Sequence, residues 1–164
     1  MNAQLELTDS TASDYKKYYG EKLEQGLIFQ DYIARELYLR GIVIVGFASK
    51  KYQIKHGENM LGAEIKRDGN FRTTGNLYIE IAEKACPTRA NFTDSGIMRD
   101  DNSWLFVIGD EKTVWVFPTN YLRKLKDAKK NEWRFVEIAT SKAMLMPISE
   151  ADKYCIRKIE MGSE

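Results

Sequence analysis

Two glutamates, Glu64 and Glu80, stand sixteen residues apart in runs that otherwise read as the apolar interior of a sheet, MLGAEIKRD over 60–68 and TGNLYIEIAEK over 74–84. A carboxylate among residues such as Leu61, Ile65, Leu77, Ile79 and Ile81 is costly unless a cation meets it. Two of them converging on one sheet imply a bound divalent ion. A hard cation such as Mg²⁺ or Mn²⁺ takes oxygen ligands, commonly one or two carboxylates completed by water and substrate phosphate. It can orient a phosphodiester and lower the pKa of an attacking water, while a neighbouring lysine adds fixed positive charge. Those are the parts required for phosphodiester hydrolysis.

Residues two apart on a strand share a face, so Glu64, Lys66 and Asp68 project together, as do Glu80, Ala82 and Lys84. If the two strands pair across the polar turn DGNFRTTG (68–75), Glu64 and Glu80 come opposite or diagonal to one another, and Ala63, Ile65, Ile79 and Ile81 face the core. The competing reading is an ordinary hairpin whose glutamates face solvent and pair with Lys66 or Lys84, in ion pairs worth about 0–1 kcal/mol.

The elements that must position these residues come from periodicity. Residues 1–12 read as a polar lead-in, and Asp14–Tyr19 as a short helix capped by Ser13. Leu23, Leu27, Ile33, Ala34 and Leu37 recur at helical intervals over 21–40, and Gly41 ends that helix. The run IVIVGFA (42–48) reads as a strand near the centre of a sheet. Tyr52–Lys55 reads as a second extended piece, followed by a turn at 56–59 and, beyond Lys84, by an irregular stretch over 85–102 that reads as a loop or short helix. Strands are expected at 104–109 and 113–117, a basic helix from 118 to about 130, extended pieces at 135–140 and 144–146, and a last helix over 149–159 with Ser149 at its start. This order predicts one mixed α/β or α+β domain with a central mixed sheet flanked by helices.

Composition narrows the function classes. The chain of 164 residues, 43% apolar, is long enough for one buried core. Its 25 basic and 24 acidic side chains give a net charge of +1, so any nucleic-acid surface must be a local patch. Two cysteines and a single histidine argue against a disulfide framework and a structural zinc site. No secretory signal and no membrane-length apolar run is legible, which makes a cytoplasmic protein the default expectation.

With these pieces in view, the chain resembles the PD-(D/E)XK, or restriction-endonuclease-like, nuclease superfamily. The core of that family is a helix, a strand hairpin bearing an acid on one strand and acid-X-lysine on the next, then a helix and a strand. The matching part is residues 26–84, about a third of the chain, with 104–130 compatible with the remainder. In detail it is similar to small phage and prophage proteins of this type, which carry runs like GAEIKRD, TGNLYIE and SGI, here 62–68, 74–80 and 95–97.

The resemblance implies a Mg²⁺- or Mn²⁺-dependent DNA endonuclease, in which Glu64 matches the first metal-binding acid and Glu80 the second. Where the family pattern has lysine, two residues after Glu80, this chain has Ala82. Lys66 is the preferred replacement, with Lys84 the alternative. In a second registration Glu64-Ile65-Lys66 is itself the acid-X-lysine and Glu58 the first acid, although six residues is a tight interval and Glu80 is then unexplained. The helix position that often carries glutamate in this family is Gln30, with Glu36 nearby. Asp68 and Lys84 complete the supporting set. Lys50, Lys51, Lys55, Arg72 and Lys124 are the candidate phosphate contacts, and cleavage of both strands by so small a chain favours a homodimer. The departures at Ala82 and Gln30 support the alternative of an impaired nuclease-fold module that binds DNA or a protein partner.

Overall fold

The computed structural model describes residues 9–161, so most of the expected lead-in lies outside the described residues. The first element is one helix, α1 (Asp9–Leu39), where the sequence suggested two pieces. A glycine inside a helix costs only about 1 kcal/mol relative to alanine, so Gly20 does not break it and Ser13 lies within it. The helix stops at Gly41, whose φ is +81°. There the Gly41 N–H donates to Tyr38 O and the Ile42 N–H to Leu37 O, a left-handed glycine cap. Phe29, Ile33 and Leu37, four residues apart, are the buried stripe of α1 and pack on Ala63, Ile65, Val107, Val114 and Val116.

The run 42–48 is not a central strand. Its only ladder contact is a bridge between Gly46 and Asn59, and Ile42, Val43 and Val45 are exposed. The sheet centre is taken by two runs of the same character, LFVIG and TVWVFP, which pair with each other through a tight turn. Tyr52–Lys55 is likewise not extended, because Ser49 Oγ accepts the Tyr52 N–H and starts a short helix, α2 (Lys50–His56), which Gly57 ends.

Two four-stranded sheets replace the single expected one. In the first, β1 (Ala63–Arg67) runs parallel to β4 (Leu105–Gly109), which is antiparallel to β5 (Thr113–Pro118), and β5 is antiparallel to β8 (Arg157–Glu160). The second is antiparallel throughout, in the order β3 (Thr93–Asp94), β2 (Asn76–Glu83), β7 (Ser141–Pro147), β6 (Arg134–Glu137). Between them lies a core containing Leu77, Ile79, Phe106, Ile108, Trp115, Met144 and Met146, closed by Leu122 and Leu125 of α4 (Thr119–Ala128).

The last expected helix is shorter, α5 (Ile148–Tyr154), with Pro147 rather than Ser149 at its cap. After it the alternation Arg157-Lys158-Ile159-Glu160 adds β8 to the sheet edge. The fold is mixed α+β. Among the described residues no helix is long and apolar enough to cross a membrane.

Candidate active site

The strands carrying Glu64 and Glu80 do not form a hairpin. β1 pairs with β4, and β2 pairs with β7 and β3. The segment between them contains Phe71, whose burial winds it into a short helix, α3 (Phe71–Thr74), with the ring edge-on to Trp115 at 5.1 Å. Asp68 then spans the change of sheet: Oδ1 accepts the Asn70 N–H at 2.9 Å and Oδ2 accepts the Tyr78 N–H at 2.8 Å. Asp68 therefore fastens the start of β2 to the end of β1, with both oxygens occupied by backbone.

Glu64 nevertheless pairs with Lys66, and Lys66 shares a cleft with Glu80. On β1 the side chains of Ala63 and Ile65 turn toward α1, so Glu64 and Lys66 turn the other way, beside Phe106 and Ile108 of β4. Lys66 Nζ lies 2.9 Å from Glu64 Oε1, whose side chain is 1% exposed. Lys66 and Glu80 line one cleft of about 670 Å³, walled by α1 residues 18–27 and floored by the end of β1 and by Tyr78. Burial of this depth excludes the surface ion-pair reading for Glu64.

Three short runs beside these acids, GEN, SGI and TGN, each have a task here. In GEN (57–59), Gly57 has φ +88° and Asn102 sits where a Cβ would project. Asn59 accepts the Ala63 N–H through Oδ1 and donates through Nδ2 to Ala63 O, which clamps Glu58 against the start of β1. Glu58 Oε2 in turn accepts from Gln30 Nε2 of α1 at 3.3 Å. In SGI (95–97), Ser95 Oγ donates to Glu80 Oε1 at 2.7 Å, and Gly96 approaches so closely that an added Cβ would stand 2.3 Å from Glu80 O. Ser141 Oγ donates to Glu80 Oε2 at 2.9 Å and accepts from Tyr78 OH, which fixes the second oxygen. TGN (74–76) is the end of α3, with Gly75 left-handed at φ +70°.

Arg99, which sequence reasoning passed over, completes the cluster. Its Nη2 donates to Glu64 Oε1 at 3.3 Å, while Nη1 lies 3.6 Å from Glu58 and 3.8 Å from Asp101. The loop bearing it is held by Arg123, which donates to Ile97 O and Arg99 O. The only local signal was its place two residues after SGI, in a loop with no periodicity.

Burial pushes the Glu64 carboxyl up, against the pull of Lys66 and Arg99. Burial would lower Lys66, but Glu64, Glu58 and Glu80 together outweigh it and raise the ammonium above its usual value. Burial would lower Arg99 too, and is outweighed by Glu64, Glu58 and Asp101.

The remaining candidates lie elsewhere. Glu36 is held by Arg35 and Arg40 on α1. Lys84, at the end of β2, puts its Nζ over the Phe92 ring at 4.4 Å. Arg72 is not free for a phosphate, because it grips Asp110 with two donors. Lys51 and Lys55 are exposed on α2, Lys50 opens that helix with its side chain outside the described set, and Lys124 is exposed on α4. The basic segment after Pro118 is largely committed, since Arg123 holds the 97–99 loop and Lys126 and Lys129 pair with Asp127 and Glu132. Ala82 is buried beside a bulge in β2.

The Arg72–Asp110 pair yields an acid-side prediction. Burial alone would raise Asp110, but the Arg72 hydrogen bond and the Lys112 and Thr113 N–H groups outweigh it and hold the carboxyl below its usual 3.8. A depressed carboxyl contributes stability that is fully present above pH 3.8 and is lost as pH falls through the lower folded value. Asp110→Asn should lower the melting temperature at pH 6 and flatten its decline toward pH 3; melting curves across that range check it.

No family model, curated protein or solved structure matches the chain. The site is therefore judged on its own chemistry. Glu58, Glu64, Glu80 and the Gln30 amide are oxygen donors, the set a hard cation takes. Among the described residues no three acids, histidines or cysteines are already gathered at cation-binding distance. Glu64 pairs instead with Lys66, and Arg99 bridges Glu58 and Glu64.

Proposed function

We propose that this protein is a divalent-metal-dependent phosphodiester hydrolase acting on DNA, with Glu58, Glu64 and Glu80 as the acids, Lys66 as the catalytic cation and Gln30 in support. The observation that carries the reading is the buried Glu64 paired with Lys66 at 2.9 Å, with the half-buried Glu58 joined to Glu64 through Arg99 and the half-buried Glu80 lining the same open cleft as Lys66. The resemblance of GAEIKRD, TGNLYIE and SGI to the PD-(D/E)XK nucleases supports it, and the tasks those runs perform around Glu58 and Glu80 support it further. In this geometry the second registration is favoured, with Glu58 as first acid, Glu64-Ile65-Lys66 as acid-X-lysine, and Glu80 added from the other sheet.

A bound Mg²⁺ or Mn²⁺ would neutralise charge on the scissile phosphate and acidify an attacking water. Glu58, Glu64 and Glu80 would hold it. Lys66, protonated at neutral pH because of those acids, acts by stabilising charge on the phosphate oxygens and not by abstracting a proton. Ser95 and Ser141 keep the Glu80 carboxylate oriented toward the site. Lys22 on the wall of the cleft, with Lys51 and Lys55 on α2, supplies phosphate contacts. Cleavage of both strands by one small domain is best served by a homodimer.

A second reading has its own support. Arg99 and Lys66 already neutralise the acids, as in a module that has given up its metal and binds DNA or a protein without cutting. Calorimetric titration with Mn²⁺ separates the two. The nuclease reading expects binding by wild type and its loss in Glu64→Gln; absence of binding by the wild type favours the impaired module.

A further inference from the structure

Arg99 and Asp101 form an arrangement that the proposed chemistry does not by itself require. The Arg99 guanidinium bridges Glu58 and Glu64, the two acids that a cation would need most. Two residues along, the Asp101 side chain is 1% exposed. Its Oδ1 accepts the Ser103 N–H at 2.8 Å, but its Oδ2, fully buried, accepts no hydrogen bond. A buried carboxylate oxygen left without a donor forfeits the hydration it had in the unfolded chain and is costly. The nearest cation is Arg99 itself, with Nη1 at 3.8 Å, the long edge of ion-pair range.

A divalent ion arriving at Glu58 and Glu64 would meet the guanidinium at close quarters and be repelled. The backbone around Arg99 is tied down through Arg123, so the side chain and not the loop must give way. Asp101 Oδ2 lies 3.8 Å from the same Nη1 that stands 3.6 Å from Glu58, and it lacks the hydrogen bond that a small movement of that nitrogen would supply. On the reading that this site loads a divalent cation, we propose that Arg99 is an exchangeable counter-ion: it closes the acid cluster while the site is metal-free and passes to Asp101 when a cation takes Glu58 and Glu64. Asp101 is thus a positioning residue acting through Arg99. The arrangement keeps three clustered glutamates folded without metal and sets the metal affinity by competition.

Calorimetric titration of Mn²⁺ into wild type, Arg99→Gln, Arg99→Lys and Asp101→Asn tests this, with Glu64→Gln as the non-binding reference. Removing the competitor should tighten Mn²⁺ binding in Arg99→Gln by roughly tenfold, within the usual range of coupling between sites. Arg99→Lys, which keeps the charge, should stay near wild type. Asp101→Asn, which removes the charge that receives Arg99, should weaken binding. Should Arg99→Gln not fold, weakened binding in Asp101→Asn beside near-wild-type binding in Arg99→Lys supports the exchange, and wild-type affinity in Asp101→Asn overturns it. Equal affinity in wild type, Arg99→Gln and Asp101→Asn, with Glu64→Gln silent, overturns the exchange and leaves the metal site standing. No binding by wild type or Arg99→Gln overturns both.

Discussion

Lys66→Met should lower cleavage of supercoiled plasmid DNA by about 10²–10³-fold, the usual loss when one positioned electrostatic group is removed. Methionine keeps the length and apolar stem of the lysine beside Phe106 and Ile108, so the loss reads charge and not packing. Glu64 retains Arg99 as a partner, which limits the penalty of leaving a buried carboxylate unpaired to less than the roughly 3–5 kcal/mol expected for a lone one. Mn²⁺ affinity should hold or rise, since a cation competing for Glu64 is gone. Lys84→Met should cleave nearly as wild type does, because the Lys84 ammonium rests on Phe92. A Lys66→Met protein cutting within threefold of wild type would remove this lysine from the chemistry.

Gly96→Ala is expected to be strongly destabilising and to disturb the site at the same time. Gly96 has φ +53°, and its new Cβ would lie 2.3 Å from Glu80 O and 2.8 Å from Glu80 C, both backbone atoms that cannot swing aside. Left-handed strain of about 1–2 kcal/mol for a residue with a Cβ adds to overpacking of about 1–3 kcal/mol. Together these should lower the melting temperature by roughly 5–15 °C for a chain of this size. The displacement also pulls Ser95 from Glu80 Oε1, so activity should fall in molecules that remain folded. Thermal melts and cleavage rates at a temperature where both proteins are folded measure the two effects separately. Gly20→Ala, inside α1 with open space around the added Cβ, should not lower the melting temperature and provides the comparison.

What the sequence made legible was local. Helical spacing located α1 and two of its buried residues, Ile33 and Leu37, but it also marked Leu23 and Leu27, which are exposed, and missed the buried Phe29, while two apolar runs around a short polar turn located β4 and β5. IVIVGFA has the composition of a central strand, but LFVIG and TVWVFP compete for the same place and are joined by a tight turn, so they win it. No window around residue 45 contains that competition. Ser49 and Gly57 turned KYQIKH into a helix because a cap and a stop outweigh weak extended propensity. The hairpin failed on Phe71, whose burial turned the connection into α3, and on Asp68, whose side chain spans the two sheets. Glu64, Glu80 and Lys66 were nonetheless picked out, because acids inside apolar strands are conspicuous whichever sheet each strand joins. Arg99 was one basic residue among many, and only its contacts distinguish it.

The central claim is that the glutamates around Lys66 cut DNA with a divalent cation. Supercoiled plasmid incubated with the wild type and with Glu80→Ala, in Mg²⁺ or Mn²⁺ and in chelator, tests it most directly. Nicking by the wild type that needs the metal and disappears in Glu80→Ala is the predicted result; equal activity in both proteins would contradict it.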